Sequence, residues 1–149
     1  MTRILLFLFI ASFFLSSILD VANAQIYTTQ KLIAVDLGQR MLYAWDGGHI
    51  VNQTPVTIGL PYTPTKKGIF HVYWKLDKQD MRGDSKWYGP YNIKDVPNVM
   101  YFYQDYAIHG AYWRTSFGNQ GSHGCVNEPV AFSKWLYDWA PVGTTVYIF

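Results

Sequence analysis

The chain has 149 residues, half of them apolar, and a formal net charge of +2. That excess is small and scattered, with no long Lys/Arg run, so composition excludes an electrostatic nucleic-acid binder. The length suits one domain with a real core rather than two. Aromatics make up 18% of residues, including 12 Tyr and 6 Trp, a composition that favours strands and an aromatic-lined cleft.

Arg3 followed by the apolar run Ile4–Ile18 and then Ala22-Asn23-Ala24 reads as an export signal, residues 1–24, with Gln25 as the first mature residue. The run is short for a span of roughly 20 residues, and Asp20 follows it, which argues against an uncleaved anchor. The expected location is therefore the periplasm or the cell wall and exterior. The expected mature protein, residues 25–149, is a single domain and a monomer.

Lys31–Leu37 and Arg40–Trp45 are strand-like runs joined at Gly38-Gln39, a predicted hairpin. Asp46-Gly47-Gly48 turns into a third strand, His49–Ile58, whose Pro55 places it at an edge or a bulge. Asn52-Gln53-Thr54 forms a glycosylation sequon, which carries little weight because Pro55 follows. Gly59–Gly68 is a Pro/Gly loop and Ile69–Leu76 a fourth strand. Residues 77–98, with Trp87, Tyr88 and Tyr91 among acidic residues, are expected to be a long functional loop that closes over substrate. Met100–Phe102 and Tyr106–Ile108 are short strands, the second delivering His109 to a strand end. Asn127 is the expected cap of a helix with Pro129 near its start, and Phe132, Leu136 and Trp139 recur at helical spacing until Pro141 and Gly143 stop it. Thr144–Phe149 closes the chain as a strand, so the expected class is mainly β, with one helix after the cysteine.

The chemistry concentrates in Ile108–Glu128. This stretch holds the only cysteine, Cys125, and two of the four histidines, His109 and His123. Gly118, Asn119, Gly121, Ser122 and Gly124 crowd the approach to the thiol, whereas a structural thiol usually sits in an apolar run. A single cysteine in an exported chain has no intrachain partner, so its free thiol is read as functional. His109, arriving from another strand, can serve as base, with the Gly110 carbonyl or another acceptor holding its second ring nitrogen. His123, two residues before the sulfur, is poorly placed to do so. The N–H groups of Gly124 and Cys125 are oxyanion-hole candidates, and the N-terminus of the following helix is expected to favour a thiolate. The physical reading is acyl transfer through a thioester. A zinc site on His109, His123 and Cys125 is disfavoured, because a fourth ligand and a ligand-pair spacing are both missing, and no cofactor is expected.

Ile108-His109-Gly110 together with Ser122-His123-Gly124-Cys125-Val126-Asn127 resembles the catalytic motif of the L,D-transpeptidase (YkuD-type) domain family. The likeness extends to Ile33–Asp36 and Gln39–Tyr43, to Thr63-Pro64-Thr65 with Gly68-Ile69-Phe70, and to Gly143–Ile148. It implies a β-sandwich of mixed sheets with the site in a cleft under a loop. Cys125 is the implied nucleophile, His109 its base and the Gly110 carbonyl its orienting group. Ser122, His123, Gly124 and Asn127, with the cleft aromatics Tyr101 and Trp113, are the implied oxyanion and substrate contacts. Asn127 stands where many members have Arg. The implied donor is a peptidoglycan tetrapeptide stem that loses its terminal D-alanine, the implied acceptor an amine, and carbapenem-type β-lactams the implied inhibitors. Water as acceptor would make the enzyme an L,D-carboxypeptidase. Papain-like and NlpC/P60-type peptidases place Cys before His, against the order here, and sortases need an Arg after the Cys, which this chain lacks. A wall-binding module with a dispensable Cys125 is the non-catalytic alternative.

Overall fold

The computed structural model describes residues 31–149; the expected signal, residues 1–24, lies outside the described residues. Two mixed sheets pack face to face. One has five strands in the order β3-β2-β1-β11-β5: β1 Leu32–Asp36, β2 Met41–Asp46, β3 His49–Pro55, β5 Gly68–His71 and β11 Thr145–Ile148. The other has four in the order β10-β8-β7-β6: β6 Trp74–Ser85, β7 Gly89–Tyr103, β8 Tyr106–Gly110 and β10 Val126–Glu128. A short parallel pair, β4 Ile58–Gly59 with β9 Gln120–Ser122, lies beside the site, and one helix, α1, spans Val130–Trp139.

Alternation along the strands builds the core. Ile33, Val35, Leu42, Ala44, Val146 and Ile148 point inward from the first sheet, and meet Met100, Phe102, Ile108 and Val126 from the second. Burying such side chains, at about 1.5–3 kcal/mol each, is the main drive holding the sheets together. Leu136 and Ala140 of α1 complete the cluster, with Phe132, Trp135 and Trp139 packed against it. The last turn of α1 carries no basic residue of its own. Two lysines from elsewhere satisfy its free carbonyls instead: Lys75 donates to Tyr137 and Ala140 (2.5 and 2.8 Å), and Lys31 to Trp139 (2.6 Å).

The opening hairpin, the closing strand and the edge position of β3 match expectation. Three elements differ. The expected third strand stops at Pro55, and Ile58–Gly59 pairs separately with β9, because proline cannot donate to a continuing ladder. The expected fourth strand is two: the chain leaves the first sheet after His71 and enters the second at Trp74. Most consequentially, residues 77–98 are not a loop. They form a long antiparallel ribbon of β6 and β7, shifted in register between Gln79 and Met81 and turned at Lys86–Tyr88. Much of β6 is exposed or half-buried rather than alternating, so it lacks the apolar period that marks a strand in sequence.

Candidate active site

Two parallel neighbours, β8 and β10, build the site. Their register sets Ile108 beside Val126, His109 beside Asn127 and Gly110 beside Glu128. Alternation sends Ile108 and Val126 into the core and turns His109 and Asn127 to the opposite face. Cys125 directly precedes β10. The Ala107 N–H of β8 donates to its sulfur at 3.4 Å, and the thiol reaches the Asp105 carbonyl at 3.8 Å.

His109 is 2% exposed and held at both nitrogens. The Asn127 side-chain amide donates to Nε2 at 2.9 Å, so Nδ1 carries the proton and donates to the Gly110 carbonyl at 3.0 Å. The Gly110 carbonyl thus sits where the expected orienting group would be. Burial, with a further push from the Arg114 charge, lowers the imidazole from 6.5 to about 4 against the opposing Gly110 bond. Burial pushes the Cys125 thiol up to about 11. Both groups are therefore neutral at pH 7, and among the described residues no hydrogen bond joins the sulfur to His109.

Asn127 does not cap the helix. It lies within β10, Pro129 occupies the cap position without a side-chain bond, and α1 begins at Val130. Three strand residues and Pro129 therefore separate Cys125 from the helix, and the expected helix-dipole lowering of the thiol gives way to desolvation. What Asn127 does instead is bridge: its Oδ1 accepts from Arg114 Nε at 3.1 Å while its amide reaches His109. Arg114 also donates to the Gly121 carbonyl. Sequence reasoning missed this arginine, although it is the only cation between the two halves of the motif.

The turn into Cys125 needs its glycine. Gly124 has φ of 121°, and a Cβ there would meet Tyr106 Cε1 at 2.4 Å. Ser122 pins the same turn, donating to the Cys125 carbonyl at 2.5 Å and accepting from the Gly124 N–H at 3.1 Å. That N–H, expected to be an oxyanion donor, is thus engaged within the turn in this state.

The cavity over Cys125, about 130 Å³, is walled by Trp113 and His109 on one side and by Met81, Tyr91 and Ile93 of the ribbon on another. Trp113 packs on the His109 ring at 5.9 Å, as a cleft residue should. His123 stacks on Tyr91 at 4.5 Å and leaves Nε2 buried without a partner. Tyr91 and His123 also wall a second, adjoining cavity of about 310 Å³ bounded by Thr63 and the ribbon turn. Tyr101 is the exception among the expected contacts. It is 9% exposed, stacks on Trp74 and donates to Gln79 at 2.8 Å, so it packs beneath the ribbon and does not line the cavity. Among the described residues no group of three or more His, Cys, Asp or Glu is placed to hold a metal ion.

The model of the L,D-transpeptidase catalytic domain, YkuD, matches residues 30–148. The chain belongs to this family. L,D-transpeptidase 2 of Mycobacterium tuberculosis is 29% identical over 143 residues, covering 85% of this chain and 33% of that protein. Among solved structures, a Cys-to-Ser mutant of the Enterococcus faecium L,D-transpeptidase superposes with a TM-score of 0.73 at 28% identity, over 80% of this chain and 50% of that one. The avibactam carbamoyl enzyme of Ldtfm gives a TM-score of 0.74 at 29% identity, over 80% and 49%. The chain thus spans a third of the curated relative and about half of these solved chains.

Proposed function

We propose that the protein is an L,D-transpeptidase that transfers acyl groups of peptidoglycan stem peptides through a thioester on Cys125. The observation that carries this reading is a free thiol and a tautomer-fixed neutral imidazole, presented by neighbouring parallel strands into one cavity. A relative 29% identical forms a carbamoyl enzyme with avibactam, which supports covalent chemistry at an equivalent site.

The lone pair on His109 Nε2 is the basic site, so the Asn127 amide must yield it before the thiol proton can move there. With the thiol near 11 and the imidazole near 4, a resting thiolate–imidazolium pair is a minor species. Proton transfer therefore accompanies attack of the sulfur on the carbonyl of the stem's diamino acid. The S–C bond forms, and the tetrahedral centre collapses with loss of the C–N bond to D-alanine. The His109 proton passes to that departing amine. An amine acceptor then cleaves the thioester and leaves a cross-link; water in its place gives the L,D-carboxypeptidase outcome. The proposed location is the periplasm or cell wall, where such substrates lie, and an N-terminus at Gln25 on the secreted protein tests it.

Intact mass after incubation with a carbapenem tests the reaction. One adduct on the wild type, none on Cys125→Ala and slow formation on His109→Ala are expected. A folded wild type that takes no adduct refutes the reading.

A further inference from the structure

Arg114 is the one fixed charge among the residues that wall the cavity holding the Cys125 sulfur. A half-buried guanidinium normally sits against a carboxylate, because removing it from water costs several kcal/mol otherwise. Here both of its acceptors are neutral: Nε donates to the Asn127 side chain and Nη2 to the Gly121 carbonyl. The ion pairs among the described residues involve Asp80 and Asp138, not Arg114. Nη1 donates to nothing among the described residues and is not sealed off from solvent. The planar group is also seated. A Cβ at Gly121 would lie 2.9 Å from Nη1, so the glycine leaves the space that the fork occupies. Two anchors and a fitted seat hold a cation still in the wall of the cavity that the thiol shares, with its outer edge unused.

We propose that Arg114 is the carboxylate-binding residue of the donor site, its free edge taking an anionic carboxylate of the acyl donor through charge-assisted hydrogen bonds. The inference rests on the acyl-transfer reading and deepens it by naming what orients the donor over Cys125. Arginine suits this task because its fork matches a carboxylate and stays charged. A stem offers two such groups: the terminal carboxylate of the expelled residue and any free carboxylate on the diamino acid.

The test measures binding and acylation separately, using a carbapenem free acid and its methyl ester as probes. Binding is measured on Cys125→Ala, where no adduct can form, with and without Arg114→Gln. The acid should bind Cys125→Ala roughly tenfold or more tighter than the ester, and Arg114→Gln should remove most of that preference. Arg114→Lys should keep part of it. A structural role exercised through Asn127 and His109 would weaken both probes alike and leave the ratio unchanged. Equal affinity of acid and ester for Cys125→Ala overturns the proposal even if the arginine variants fail to fold. An unchanged ratio in folded Arg114→Gln overturns it too. Tetrapeptide stems amidated at one carboxylate or the other identify the source by which loses affinity; if neither does, the proposal fails. Absence of an adduct on the wild type refutes acyl transfer and leaves the binding result standing.

Discussion

Acid should destabilise this fold through His109. Its imidazole titrates near 6.5 when unfolded and at about 4 when folded, because burial opposes the charged form. The folded pKa is the depressed one, so the unfolded chain binds the proton first. The stabilisation is complete above pH 6.5 and is lost as pH falls from there towards 4. Between pH 7.5 and 4.5 the loss from this residue is about 2.5 kcal/mol, two pH units at 1.36 kcal/mol each. Urea midpoints at both pH values, for wild type and His109→Gln, isolate the term. Contributions common to both proteins cancel, leaving a wild-type slope steeper by that amount. Parallel pH dependences in the two proteins would refute the neutral, desolvated imidazole and with it the assigned tautomer.

Glu128 runs the other way. It is fully buried with neither carboxylate oxygen bonded, and burial holds its pKa well above 4.5. The raised pKa means its stabilisation is present below 4.5 and lost as pH rises, so Glu128→Met should stabilise by about 1–3 kcal/mol at pH 7.5 and by less at pH 4.5. A loss of stability at pH 7.5 would contradict this. Gly124→Ala forces a Cβ onto Tyr106 at a positive φ, and should lower stability by about 2 kcal/mol or more in urea denaturation and slow Cys125 acylation; an unchanged midpoint counts against the close approach. Alkylation of Cys125 by iodoacetamide should rise about tenfold per pH unit from pH 8 to 10, since its thiol is pushed up to about 11. A plateau below pH 9 would mean that the thiolate is stabilised after all.

The parts of the site legible in sequence are those carried by local spacing. His109-Gly110 closes a strand, Ser122–Cys125 is a turn that glycine and serine must build, and the two meet because Val126 and Ile108 pair in parallel. The core was legible for the same reason, through the alternation in β1, β2 and β11 and the helical spacing of Leu136. The β6–β7 ribbon was not. Asp77, Lys78, Asp80 and Arg82 lie in a strand whose solvation leaves the sequence without an apolar face to read. Met81 and Ile93 consequently entered the site unannounced, whereas Tyr91 belonged to the aromatic stretch expected to cover it. Asn127 was misplaced because asparagine before Pro129 carries the signature of a helix cap, and only the pairing of β10 with β8 reveals its other use.

Arg114 links these misreadings to the chemistry. In a sequence it is one cation in a Gly-rich connection, yet in space it holds Asn127 by Oδ1, which aims the Asn127 amide at His109 Nε2. That chain of bonds fixes the imidazole tautomer, while the nearby guanidinium charge helps keep the ring neutral. The resting site is therefore an uncharged acid–base pair beside one fixed cation. Such an arrangement has little nucleophilic thiolate to lose to adventitious electrophiles at neutral pH. On the proposed reading it would gain reactivity when a substrate displaces the Asn127 amide from Nε2 and supplies a carboxylate to Arg114. An anion drawn to the guanidinium would also offset the charge that now depresses His109, raising its basicity as the donor carbonyl arrives at the sulfur. Recognition and activation would then share one residue, so a donor stripped of its carboxylate should lose acylation rate as well as affinity.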